Sequence, residues 1–161
     1  MFAIGIGLWL AGLAGLTWLV RRHTTASALP TVALTLAPLA SGLWLTNLTF
    51  RLTTTVHVVD SMVHGRTVPD WYIDIEAWSD RGLLNAAALV GGTAMVLYGM
   101  ATVRSALVSS WTAWFAAACG AVLIVEFALT RDVVPALLYL APLPLGVSAL
   151  LRSHRPPVEP S

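Results

Sequence analysis

The residue best suited to acid–base chemistry lies inside an apolar stretch of the chain. Glu126 stands in "AVLIVEFALT", five residues before Arg131. An ionisable side chain within a membrane-spanning helix costs roughly 2.5–3.5 kcal/mol at the bilayer centre and less near its edge, so it is a candidate functional group. One hypothesis makes Glu126 the proton donor or base of an enzyme. The other makes it a side chain that snorkels to the interface or forms one structural salt bridge.

Further candidates lie in the most polar segment, residues 51–82, which holds five of the eight acids and two of the four histidines. In the enzyme hypothesis His57 and Asp60 assist the buried carboxylate as proton-transfer groups. Trp71 and Trp78 are candidate ligand-binding residues, because their ring faces would stabilise a cationic intermediate.

The same segment contains side chains of the types that bind metal ions. His57, Asp60 and His64 recur at i, i+3 and i+7, and imidazole and carboxylate are common metal ligands. The spacing is not a strong zinc signature, however, and a solvated helix surface gives the same pattern. We therefore assign no metal, and the sequence leaves the cofactor unknown.

Two amides complete the set of candidate ligand-binding residues. Asn47 lies four residues before Arg51, and Asn85 lies four residues after Arg81. At 1.5 Å per residue, both fall about 6–8 Å inside the outer end of an apolar stretch. Glu126 has a similar depth, so one hypothesis is that these polar groups converge, which the sequence alone does not decide.

The elements that position these residues follow from the composition. The chain is 57% apolar and 11% charged with a mean hydropathy of +0.78, whereas soluble domains are about 45–50% apolar and 25% charged. It has no lysine and no basic run longer than Arg21-Arg22, so it lacks the electrostatic footprint of a nucleic-acid-binding protein. The absence of lysine and the abundance of alanine, leucine, valine and arginine indicate a bacterial coding bias. The composition predicts an integral membrane protein.

A hydrocarbon core about 30 Å thick requires roughly 20 apolar residues per helix. Stretches of this kind recur five times, at 1–20, 31–50, 83–103, 108–129 and 133–151. The sequence therefore predicts an all-α bundle of five transmembrane helices. It forms a single domain over residues 1–151, followed by a short polar cytoplasmic tail at 152–161.

The distribution of arginine predicts the orientation of this bundle. One set of connections holds Arg21, Arg22, Arg104, Arg152 and Arg155, and the other holds Arg51, Arg66, Arg81 and Arg131 together with nearly all the acids. By the positive-inside tendency the first set is cytoplasmic. We predict a protein of the inner cell membrane whose N-terminus is outside and whose C-terminus is cytoplasmic.

Residues 51–82 then lie on the outer side. Apolar residues from Leu52 to Val63 follow a helical spacing, so one hypothesis is that the second stretch runs on out of the bilayer and ends at Gly65. Pro69 fits the start of a second helix, with Trp71 and Trp78 on one face. We predict an amphipathic helical cap over the bundle.

Small residues indicate where helices approach closely, because membrane helices associate by backbone contact and polar contacts. The first stretch has four small residues at a strict four-residue spacing, namely Ala3, Gly7, Ala11 and Gly15. We predict that this face is a tight packing seam. The third stretch offers further small residues, namely Ala87, Gly91, Gly92 and Gly99.

The chain has no G-x-S-x-G motif, no glycine-rich phosphate loop and only one cysteine, Cys119, so serine hydrolase, nucleotide-dependent and thiol-redox functions lack their motifs. We expect a protein that acts by binding, as a subunit of a larger membrane complex or as a binder of a lipid-like small molecule. The alternative is a membrane-embedded enzyme that isomerises or cyclises an isoprenoid or another lipid from the outer leaflet. The expected partners are the bilayer, other membrane subunits or the lipid-like molecule, and no nucleic acid.

Overall fold

The computed structural model describes residues 2–23, 28–105, 107–130, 140 and 142–153. The described residues are helical almost throughout and contain no strand. The helices, in chain order, are α1 (Phe2–His23), α2 (Ala28–Phe50), α3 (Val56–Val63), α4 (Asp70–Trp78), α5 (Asn85–Ser105), α6 (Ser110–Thr130) and α7 (Pro142–Ser153).

Two π-helical segments join neighbouring helices without breaking them. Arg51–Thr55 connects α2 to α3, and Ser79–Leu84 connects α4 to α5. Residues 28–63 and 70–105 are therefore two continuous helices of 36 residues each. Both π-helical segments contain poor helix formers, three threonines in the first and Gly82 in the second. At 1.5 Å per residue each long helix spans about 54 Å, far more than a hydrocarbon core about 30 Å thick.

A tight turn connects the two long helices. Gly65 has φ +77°, a left-handed conformation that glycine adopts without strain. The Gly65 amide donates to the Met62 carbonyl at 2.9 Å, and the Arg66 amide donates to the Ser61 carbonyl at 3.1 Å. This pair of bonds is the Schellman arrangement that ends a helix. Pro69 is extended and directly precedes α4, so the turn has the helix end and the helix start expected from the sequence.

Among the described helices, α5 and α6 approach each other very closely. A Cβ placed on Gly99 would lie 2.6 Å from the Ala117 Cβ, and one on Gly120 would lie 2.5 Å from the Gly92 carbonyl oxygen. The two backbones approach closely because both helices have small residues along the shared face. α5 also contacts α1 and α2 and carries the large buried side chains Met95 and Tyr98, so it is the centre of the bundle.

Among the described residues, four helices are long and apolar enough to cross a membrane, and they overlap the first four predicted stretches. The fifth, 133–151, is described only at residue 140 and from residue 142 onward, where Pro142 and Pro144 lie in the first turn of α7. The predicted tail at 152–161 lies outside the described residues from 154 onward.

Residues 51–82 differ in part from the predicted cap. Residues 51–82 do not form a separate helix lying across the bundle, because α3 continues from α2 and α4 continues into α5. They form a helical hairpin, residues 51–84, that extends the two long helices. The hypothesis that the second apolar stretch continues to Gly65 is confirmed by the continuous helix 28–63. The sequence did not reveal that α4 continues into α5.

Candidate functional site

An apolar groove lies between α1 and α7, with a volume of about 470 Å³. Small-molecule sites typically measure about 300–1,000 Å³. The groove is lined by Leu8, Trp9, Leu13, Leu16, Leu19, Pro142, Leu143 and Val147, together with the glycines Gly12, Gly15 and Gly146. The described lining therefore contains no charged side chain, and it suits a hydrocarbon chain better than a polar ligand.

The three glycines determine the width of this groove. A Cβ built on Gly12, Gly15 or Gly146 meets no heavy atom within 4 Å. These positions therefore face open space, and larger side chains there would occupy the groove without displacing the described neighbours.

A cluster of polar side chains joins the two long helices where the helical hairpin, residues 51–84, begins. Asn47 is buried on α2, and its Nδ2 donates to the Ser79 carbonyl and to Ser79 Oγ, both at 3.0 Å, and to Asp80 Oδ1 at 3.1 Å. Arg51 donates to both carboxylate oxygens of Asp80, with Nε 3.0 Å from Oδ1. The cluster lies at the start of both π-helical segments, which are frequent at functional sites.

The charge state of this cluster is set by two opposing effects. Partial burial alone would raise the pKa of Asp80. The hydrogen bonds from Arg51 and Asn47, together with the charge of Arg51, outweigh burial and lower the pKa below its ordinary value. Asp80 precedes the apolar stretch 83–103. Because its pKa is lowered, Asp80 is ionised at neutral pH and pairs with Arg51.

Glu126 lies near the end of α6. Within the described part of the chain, its Oε2 atom is buried and has no hydrogen-bond partner. Glu126, Cys119 and Thr112 are spaced seven residues apart and so share one side of α6. Ser148 on α7 donates to Thr112 Oγ1 at 3.4 Å, so this is the side that α7 approaches.

His57 and Asp60 lie on α3 in the helical hairpin, on a different helix from Glu126, and both are exposed. Asp60 is associated with its own helix, since its carbonyl lies 2.8 Å from His64 Nδ1 and its carboxylate 3.8 Å from the same atom. No hydrogen bond or ion pair of the described residues joins either side chain to Glu126. The described residues also contain no group of three side chains that would hold a metal ion. The cooperation of Glu126 with His57 and Asp60 stays a prediction.

The two amides play different parts. Asn47 joins the polar cluster between helices, whereas Asn85 Nδ2 donates to the Arg81 carbonyl one turn earlier in its own helix. Trp71 and Trp78 are more than half exposed on α4. No hydrogen bond of the described residues joins these four candidate ligand-binding residues to one another, and their role in binding stays a prediction.

No family model, curated protein or solved structure matches this chain. Its function is therefore argued from the geometry of its own residues.

The small residues of α1 do not contact another described helix closely. Gly7, Ala11 and Gly15 are exposed, and a Cβ on either glycine meets nothing within 4 Å. Ala3 belongs to α1, but its side chain lies outside the described part of the structure. α1 instead turns larger side chains inward, among them Leu13, Leu16 and Val20. Whether the small face is a seam with another molecule stays a prediction.

Sequence reasoning missed the groove and the partners of Asn47. Gly12 and Gly146 were the available signals for the groove, since each is a residue without a side chain among large apolar residues and so leaves space beside its helix. Ser79 gave no signal at all, because a serine in a polar segment is ordinary. Its complete burial becomes visible only when the two long helices are placed side by side.

Proposed function

We propose that this chain is a multi-pass membrane protein that acts by binding, and that the groove between α1 and α7 holds the hydrocarbon chain of a lipid-like molecule. The observation that carries the proposal is the groove itself, about 470 Å³ in volume with a lining of apolar side chains and glycines. A lipid-like molecule suits this lining because a hydrocarbon chain requires no hydrogen-bonding partners.

The proposed setting is the inner cell membrane, with the N-terminus outside and the C-terminus in the cytoplasm. Four helices of suitable length and composition support membrane insertion. The arginine distribution supports the orientation, which puts the helical hairpin outside the cell. In this setting the exposed outer surface of α1 is available to other subunits of a membrane complex.

The test is to fill the groove and measure what remains bound. Gly12→Leu and Gly146→Leu introduce side chains into open space, so both variants should fold. Gly42→Leu on α2 is the matched control, because Gly42 also meets nothing within 4 Å and does not line the groove. Native mass spectrometry of protein released gently from its own membrane gives the mass of any bound molecule.

We expect a defined lipid-like mass on the original protein and on Gly42→Leu, and its loss from the two groove variants. An unchanged bound mass in all four proteins would contradict the groove as the binding site. A protein that carries no small molecule in any form would contradict the lipid-binding proposal altogether.

A second candidate function is the membrane-embedded lipid enzyme. It is favoured by the buried, unpartnered Oε2 of Glu126, because a carboxylic group without a structural partner is free to exchange a proton with a substrate. Glu126→Gln in the host separates the two candidates. An enzyme would then leave its lipid substrate unconverted, whereas a binding protein would leave the lipid profile unchanged.

A further inference from the structure

The starting observation is that α4 has two different faces. Tyr72 is only 6% exposed, its ring stacks on Phe50 with centroids 6.0 Å apart, and its hydroxyl donates to Thr55 Oγ1 at 3.0 Å. Glu76 and Ser79 continue this face at helical spacing, and Ser79 is fully buried. This face of α4 is therefore occupied by the chain itself.

The neighbouring face is less covered by the described residues. It carries Trp71, Ile75 and Trp78, which are 51%, 40% and 60% exposed. The Trp71 ring meets the Tyr72 ring edge-on with centroids 6.1 Å apart, and the Trp78 indole lies next to Gly82, but both indoles stay accessible. Asp74 is exposed on the same face, three residues after one tryptophan and four before the other. A carboxylate thus lies between two accessible indole rings.

The charge on α4 is one-sided. The helix contains Asp70, Asp74 and Glu76 and no basic residue. Asp70 is the first residue of α4, where the helix dipole stabilises a negative charge, and Glu76 Oε1 lies 3.4 Å from the Tyr72 hydroxyl. Asp74 has neither role, and among the described residues it has no ion-pair partner. Its charge therefore contributes nothing evident to the stability of the hairpin.

This combination of groups matches a cation. Indole faces attract guanidinium and ammonium groups, and a nearby carboxylate adds a charge-assisted hydrogen bond. The chain contains an example of the aromatic half of this contact, since the Arg22 guanidinium carbon lies 3.8 Å from the ring centroid of Trp18. A membrane surface fits less well, because helices that bind anionic lipid carry basic residues on their polar face.

We propose that the exposed face of α4, formed by Trp71, Asp74, Ile75 and Trp78, docks a basic segment of a partner protein. An arginine or lysine of that segment lies over an indole ring and pairs with Asp74, and its apolar residues cover Ile75. This inference rests on the proposed role as a binding protein of the membrane, and it names the chemistry of the partner.

The experiment uses the full chain in nanodiscs of phosphatidylcholine, a lipid with no net charge. The probe is a fluorescent helical peptide with arginines at i, i+4 spacing, and the matched probe carries citrulline at the same positions, which removes the charge and keeps the shape. Binding is followed by anisotropy. We expect the arginine peptide to bind and the citrulline peptide to bind at least about fivefold more weakly.

Variants locate the contact. Asp74→Asn and Trp78→Leu should each weaken binding of the arginine peptide about fivefold, and added salt should reduce the effect of Asp74→Asn. Asp60→Asn is the matched control, because Asp60 is an exposed acid of the same hairpin on α3, and it should bind like the original protein.

Three results would overturn the proposal. They are no binding of the arginine peptide, equal binding of both peptides, and equal effects of Asp74→Asn and Asp60→Asn. A separate measurement would also overturn it: if brominated phosphatidylcholine quenches less fluorescence in a Trp71→Phe, Trp78→Phe double variant than in the original protein, the bilayer is the occupant of this face. The groove proposal fails separately, because Gly12→Leu and Gly146→Leu leave α4 unchanged and should bind the peptide normally.

Discussion

Two glycine-bearing surfaces of this bundle have similar composition and opposite roles. On the surface between α5 and α6, a Cβ at Gly99 would lie 2.6–2.7 Å from atoms of Ala113 and Ala117. On the outward surface of α1, a Cβ at Gly7 would meet nothing within 4 Å. A small residue permits close approach only where the facing helix is also small, and α6 provides that match through Ala113, Ala117 and Gly120.

The two helices are consequently held by different interactions. α5 and α6 are joined by backbone contact along most of their length. α1 is attached through larger side chains and one buried polar contact, in which the Tyr98 hydroxyl lies 2.8 Å from Thr17 Oγ1. Thr17 itself donates to the Leu13 carbonyl at 2.8 Å, so the Tyr98 hydroxyl is the donor to Thr17. This difference gives three predictions of decreasing size.

The largest effect is expected from one added methyl group in the tight surface. Gly99→Ala places a Cβ against backbone atoms of α6 that cannot move alone, and it should lower the free energy of unfolding by about 2 kcal/mol. Gly7→Ala is the matched control, because its Cβ enters open space and alanine favours the helix. Unfolding in detergent micelles measures both. Equal stabilities of the two variants would show that the α5–α6 surface is looser than the structure indicates.

A smaller effect is expected where α1 meets α5. Tyr98→Phe removes a donor while Thr17 keeps its own bond to Leu13, so it should cost about 1 kcal/mol. Thr17→Val should cost more, because it leaves the buried Tyr98 hydroxyl without its nearest acceptor. Thermal unfolding in micelles ranks the two variants. The reverse order would mean that Tyr98 finds another partner of equal strength.

The smallest effect on the fold is expected from the outer surface of α1. Gly7→Leu combined with Ala11→Leu should leave the stability of the isolated chain unchanged, since both residues are exposed. The same pair should release any membrane partner that packs on this surface, which native electrophoresis of the gently extracted complex detects. Retention of the partner by the double variant would exclude this surface as the interface.

The helices themselves could largely be predicted from the sequence. Apolar stretches of suitable length located the four long helices, and Gly65 and Pro69 located the turn, because these signals are local and depend on backbone conformation. The continuation of the second stretch to Gly65 was foreseen, but α4 was predicted as part of a separate cap, because periodicity does not report whether one helix continues into the next. The π-helical segments that keep them continuous have no distinctive pattern beyond three threonines and one glycine.

The candidate site was less predictable, because it depends on distances between helices. Asn47 was identified from its depth, but its partners Ser79 and Asp80 come from a helix that lies beside it only after folding. The groove between α1 and α7 likewise results from separation between helices, which a sequence of apolar residues does not encode in any single position.

The two π-helical segments have a consequence for how the helical hairpin can change. One extra or missing residue in a helix rotates everything beyond it by about 100°, and a π-helical turn accommodates such a residue without ending the helix. Arg51–Thr55 and Ser79–Leu84 therefore set how far the hairpin helices are rotated about their axes relative to the helices of the bundle. Adding or removing one residue in either segment without a compensating change in the π-helical turn would rotate the attached hairpin helix. Asp74 or the valines of α3 would then face a new direction, while the bundle helices would keep their rotation. The orientation of the hairpin thus depends on the length of these two segments, within the limits set by the contacts of Tyr72 with Phe50 and of Asn47 with Ser79.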